Sequence, residues 1–148
     1  MKHINLLIIT ILTTISVQYV FTQNTPEEIT SIFFEKYEKE GPAKALEYVF
    51  STNPWMENQK DATLQINSKL SQAVSLIGEY YGYELITIKS VGESYKMYSY
   101  MLKYSRQPIQ FTFILYKPKD KWQIQNLKFD DQLIDDLEEQ ENLLKNKR

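Results

Sequence analysis

Glu79 and Glu84 bracket a cluster of phenols, Tyr80, Tyr81 and Tyr83. Two carboxyls set among apolar rings can divide acid and base roles, because the more desolvated one keeps its proton while the other gives it up. Glutamates at a helix exit are more often simply solvated, and nothing in the spacing overrides that reading. The other group with distinctive chemistry is Arg106, the one arginine before the terminal Arg148 in a chain that otherwise uses lysine. A guanidinium offers a planar two-pronged donor that an ammonium lacks, so Arg106 beside Tyr104 and Gln107 could bind a carboxylate or phosphate. It could equally anchor the turn it sits in, or pair with a carboxylate such as Glu57.

What the chain lacks narrows the chemistry further. It has no cysteine, and its single histidine is His3. Lys2 and His3, the apolar run Leu6 to Leu12 and the fading apolarity up to Thr22 follow the order of a secretion leader, with cleavage expected near Gln23. The leader takes His3 with it. The remaining domain then has no imidazole and no thiol, so a Ser-His-Asp triad, a Cys-His dyad or an ordinary zinc site cannot be assembled from it. No cofactor or metal site is expected, and after cleavage no membrane anchor. The formal net charge is −2 with no basic stripe, which disfavours a nucleic-acid partner.

The elements that must position these groups fall into two blocks. Thr25-Pro26-Glu27-Glu28 is a helix start with a capping threonine, and Ile29, Ile32, Phe33 and Tyr37 follow at helical spacing. Gly41-Pro42 closes that helix and opens a second, with Ala45, Leu46, Val49 and Phe50 on its apolar face. After Ser51-Thr52-Asn53-Pro54, a longer helix carries Ala62, Ile66, Leu70, Ala73, Val74 and Ile77, and Gly78 and Gly82 mark its exit. Trp55, just after the turn, is expected to cap the open end of the core or to line a pocket mouth.

Twelve of the twenty aromatic residues lie between Tyr80 and Phe129. Four strands are predicted there: Tyr83 to Val91, Tyr95 to Tyr104, Ile109 to Lys117, and a last one from Trp122 to Phe129. Tyr98, Tyr100, Leu102 and Tyr104 share one face of the second strand, and Ile109, Phe111, Phe113 and Leu115 one face of the third. In the fourth, Trp122 and Ile124 are placed opposite Leu127 and Phe129. Apolar groups on both faces of strands two and three predict a central position covered on both sides, so a homodimer through the sheet face is expected. The tail, 131–148, is acidic at its head and basic at its end, with Leu133, Ile134, Leu137 and Leu144 as a thin helical stripe. Its carboxylates lack the spacing and the glycine of a calcium loop.

The order helix, helix, long helix, then a four-stranded meander resembles the NTF2-like (cystatin-like) superfamily. Asn53-Pro54-Trp55, Gly82-Tyr83-Glu84, Arg106-Gln107-Pro108 and Phe113 to Pro118 followed by Trp122 resemble, more narrowly, a family of secreted bacterial NTF2-like proteins. The resemblance implies an α+β fold in which N-terminal helices pack on a curved four-stranded antiparallel sheet over residues 23–130, after a 1–22 leader and before a C-terminal helical tail. No catalytic residues come with these motifs. Two function classes follow. One is a non-catalytic exported module binding a small apolar or anionic ligand, or a partner, with Trp55, Tyr83, Tyr98, Tyr100, Tyr104, Arg106 and Phe113 as candidate contacts. The other is an acid–base lyase or isomerase using Glu and Tyr in the cone.

Overall fold

Thr25 opens the first helix in the manner its sequence predicts: its Oγ1 accepts the Glu28 N–H at 3.1 Å, and Pro26 fills the first turn. The computed structural model describes residues 25–135, 137, 138 and 145. Helix α1 (Pro26–Glu40) ends at Gly41, whose φ of 91° lies in the region that favours glycine. Helix α2 (Pro42–Ser51) buries Ala45, Leu46, Val49 and Phe50. A one-turn helix, α3 (Pro54–Glu57), precedes α4 (Lys60–Ile77), which buries Leu70 and Ile77 and lays Ile66 and Val74 against the core. Ala62, expected on that stripe, is exposed in the first turn of α4.

The four strands form one open antiparallel sheet in the order β1-β2-β3-β4: β1 (Tyr80–Val91), β2 (Tyr95–Tyr104), β3 (Ile109–Tyr116) and β4 (Gln123–Asp130). Strands β2 and β3 are central, and the alternation read from their sequences is the observed one. Tyr98, Tyr100, Leu102, Tyr104, Ile109, Phe111, Phe113 and Leu115 are all buried on one face. Two expectations about the strands needed correction, both because of a bulge. Strand β1 starts at Tyr80, paired with Tyr104, because an irregularity before Gly82 (φ 110°) lets the strand run through the glycine. In β4, Leu115 pairs with Ile124 while Ile114 pairs with Asn126, so Gln125 is an extra residue. That insertion resets the alternation, and Ile124, Leu127 and Phe129 all face the core rather than opposing one another.

The helices supply the other half of that core. Phe33 lies 5.0 Å from Phe113 and 5.8 Å from Phe111 between ring centroids, and Phe34 lies 4.8 Å from Tyr100. Edge-to-face and tilted pairs at these distances fill the space between α1 and the sheet with rings. At the far end Trp122 is buried beneath Lys96 and Lys117, each with Nζ 5.4 Å from the ring centroid. The outer face of β2 and β3 carries Met97, Met101 and Ile114, half-buried. Beyond β4 the backbone is helical at 133–135, 137 and 138, with Ile134 and Leu137 exposed. The expected leader, Leu144 and the basic end of the tail at Lys147 and Arg148 lie outside the described residues.

Candidate functional site

The core-facing tyrosines of β2 do more than fill space. The Tyr98 hydroxyl donates to the Glu27 carboxylate, the Tyr100 hydroxyl bonds Thr30 Oγ1 at 2.9 Å, and the Tyr104 hydroxyl bonds that of Tyr37. Their partners climb α1 as the tyrosines climb β2. Ten helical residues rise about 15 Å and six strand residues about 20 Å, so helix and strand climb in the same direction and the side chains span a difference of about 5 Å over the ladder. Alternation in the sequence shows where these rings go; it carries no sign of the hydroxyl partners. Burial, reinforced at Tyr37 by the neighbouring Tyr104, pushes the Tyr37 phenol well above its ordinary range, and burial raises Tyr80, Tyr98, Tyr100 and Tyr104 as well. Phenols held this way stay protonated, serving as structural hydrogen-bond donors and poor bases.

Glu27 feels the ladder from the other side. Burial raises its pKa, but the Tyr98 hydroxyl, its own backbone N–H and Lys96 together outweigh that and hold it below its ordinary 4.5. A carboxyl depressed by folding adds stability above its unfolded pKa, and that stability is lost as pH falls through the folded value. Glu27→Gln should therefore flatten the acid limb of stability. Urea midpoints between about pH 3 and pH 7 should separate wild type from variant at neutral pH and bring them together in acid. The effect will be small, because the carboxylate is largely solvent-exposed.

The structure gathers some of the expected site residues and scatters others. Tyr83 stacks on Phe34 at 3.8 Å and 13°, and with Tyr100 and Phe113 it surrounds that ring. Tyr98 and Tyr104 stand in the same buried row. Trp55 is 74% exposed and does not cap the core. The inward position of its loop belongs to Asn53, whose Nδ2 donates to the Ile124 carbonyl at 2.6 Å while its Oδ1 accepts Trp55 N–H at 3.0 Å. Beside it, Thr52 Oγ1 accepts the Ile124 N–H at 3.0 Å. Arg106 lies at the opposite end of the molecule, donating from Nη1 to the Leu76 carbonyl at 2.9 Å, where its charge meets the negative end of α4. Glu84 pairs with Lys103 at 2.8 Å, and Glu79 accepts from Tyr81, both at the exposed surface. The two carboxylates thus have separate partners.

A cleft absent from the sequence-based reading opens among α1, α2 and α4. It is open to solvent and offers about 810 Å³. Leu64 gives it exposed apolar surface with the buried Leu46 and Phe50 behind, and the paired ions Lys36–Glu40 and Lys44–Glu47 stand along it with Lys60 and Glu57. Two of its lining residues carry a side-chain oxygen, Tyr48 Oη and Asn67 Oδ1, that is shielded from solvent and has no hydrogen-bond partner among the described residues. Burial, with Glu28 nearby, raises the Tyr48 pKa, so this phenol too keeps its proton. Periodicity places Tyr48 and Asn67 on helices facing one another but cannot show that their polar ends go unpaired.

Among the described residues no group of three or more His, Cys, Asp or Glu stands close enough to hold a metal ion, and no helix is long and apolar enough to cross a membrane. No protein family, no curated protein and no solved structure matches the chain.

Proposed function

We propose that this protein is an exported, non-catalytic binding module of NTF2-like build that holds a small amphipathic molecule in the cleft among α1, α2 and α4. The observation that carries this reading is the pair of buried oxygens without partners, Tyr48 Oη and Asn67 Oδ1, on two residues that line an 810 Å³ cleft. A buried polar atom left unpaired costs about 1–3 kcal/mol. An occupant that gives the Tyr48 hydroxyl an acceptor and Asn67 Oδ1 a donor, once these side chains turn toward it, removes that cost, while its apolar body lies on the exposed Leu64. Size supports the reading as well, since small-molecule sites are typically about 300–1,000 Å³. The balanced lysines and glutamates along the cleft favour a neutral hydroxyl or amide head over a strongly charged one. Export rests on the order of charge and apolarity in the first 22 residues, and the NTF2-like build on the helix–meander order.

Tyr48→Phe and Asn67→Ala test it. Each removes an unpaired polar atom, so each should leave the melting temperature of the unliganded protein unchanged or raise it, by up to about 1 kcal/mol in stability. Medium-chain alkyl alcohols and amides should raise the melting temperature of the wild type and have a reduced effect on either variant. The proposal is overturned if the wild type shows no response to this panel, or if both variants respond as it does.

A further inference from the structure

The two borders of the sheet are finished differently. At β4 the Ile124 N–H and carbonyl are both occupied, by Thr52 Oγ1 and Asn53 Nδ2. At β1, twelve residues long, no hydrogen bond to the outer backbone edge is made among the described residues. This border is also where the sheet exposes most apolar surface: Leu85 is 50%, Ile88 47% and Tyr83 40% exposed, and Ile86 and Val91 are exposed too. A long, unpaired and apolar border strand is a template for another strand.

We propose that β1 pairs antiparallel with β1 of a second copy across a two-fold axis, in the register that sets Glu84 opposite Lys89 of the partner subunit. The argument is charge and face complementarity. In a two-fold antiparallel pair, residues opposite one another must point to the same face of the joined sheet. Glu84 and Lys89 are an odd number apart and would normally point to opposite faces. The irregularity between Leu85 and Thr87 changes that: Leu85 pairs with Tyr100 and Thr87 with Ser99, leaving Ile86 as an extra residue. Beyond it the alternation is reset. Glu84, Thr87 and Lys89 lie on the outer face with Met101, Ser99 and Met97, while Tyr83, Leu85 and Ile88 lie on the core face with Leu102, Tyr100 and Tyr98.

One register then satisfies every position. Glu84 meets Lys89 of the other copy, Leu85 meets Ile88, Tyr83 meets Ser90 and Gly82 meets Val91, each on matched faces. The inserted Ile86 of each copy falls opposite Thr87 of the other, one such pair on either side of the axis, so neither strand is longer than its mate. The symmetry makes the ion pair twice, and it brings two Leu85–Ile88 contacts together in a four-residue apolar row. Glu84, already bonded to Lys103, would sit between two ammonium groups, and Lys89 has no ion pair among the described residues. The product is a continuous eight-stranded sheet whose two outer borders are the β4 strands covered by Thr52 and Asn53.

The test uses the full chain in sedimentation velocity at several concentrations. Wild type should dimerise. Glu84→Lys alone sets lysine against lysine twice, and Lys89→Glu alone sets glutamate against glutamate twice, so each should weaken the dimer by at least about tenfold. Mixing the two variants should restore association, because the mixed pair has opposite charges at both contacts. Thermal melts of the separate variants check that each is folded. A wild type that stays monomeric overturns the proposal. So does a dimer indifferent to both substitutions but broken by Met101→Glu on the outer sheet face, or a mixture no tighter than its components.

Discussion

Asn53→Ala should cost the domain about 2–4 kcal/mol. The side chain donates to the carbonyl of Ile124, a fully buried residue, and accepts the Trp55 N–H at the start of α3. Truncation strands the carbonyl, at about 1–3 kcal/mol, and removes a helix cap worth about 1 kcal/mol more. Asn53→Asp separates the two parts. It keeps the cap but turns an acceptor toward an acceptor, so it should be no better than alanine. Trp55→Ala should move stability by less than about 0.5 kcal/mol, because the ring is solvent-exposed. Urea denaturation of the three variants decides it, and equal losses for Asn53→Ala and Trp55→Ala would refute this account.

Gly78→Ala should cost a comparable 2–4 kcal/mol, for a backbone reason. Gly78 sits at φ 98°, ψ −150°, a conformation open essentially to glycine alone and costing other residues about 1–3 kcal/mol. A Cβ there would lie 2.1 Å from Ser105 Oγ. The hydroxyl would have to swing away and give up the Glu79 N–H that it accepts at 3.1 Å, for about 1 kcal/mol more. The same contact carries the bonds from Ser105 N–H to the Glu79 carbonyl and from Arg106 N–H to the Ile77 carbonyl, which tie the β2–β3 turn to the end of α4. Adding Ser105→Ala should relieve the clash but not the backbone term, so the double variant should recover little of the lost melting temperature. Full recovery would show that crowding, and not φ, sets the cost.

Much of the scaffold was legible because it obeys a period. Thr25-Pro26 and Gly41-Pro42 punctuate helices with residues whose backbone preferences leave few alternatives. Strands β2 and β3 alternate cleanly because each presents one wholly buried face. The three insertions, before Gly82, at Ile86 and at Gln125, were not legible. A bulge adds one residue of any type, and only the partner strand reveals that the count has slipped. The site was hidden for a related reason. Large aromatic rings drew attention to Tyr98, Tyr100, Tyr104 and Phe113, which the structure uses as core, and to Trp55, which it leaves in solvent. Side-chain size argues for burial. In that loop the smaller Asn53 takes the inward place, since it alone can answer the Ile124 carbonyl. The cleft oxygens of Tyr48 and Asn67 are defined by the partners they lack, which no single-chain pattern encodes.

The tyrosine ladder also bears on the order in which the chain can assemble. Its three rungs join residues 71, 70 and 67 positions apart, whereas each strand of the meander pairs with its neighbour in sequence. Local pairings close short loops; bringing α1 onto β2 closes one of about 70 residues, at an entropic cost of roughly 4 kcal/mol. Helical hairpin and meander can each form early, but neither buries its aromatic face alone. Phe33, Phe34 and Tyr37 stay wet until β2 and β3 have been made and have paired. The core of this domain is therefore completed late in synthesis, and a nascent chain stopped short of residue 104 contains no partner for the uppermost rung.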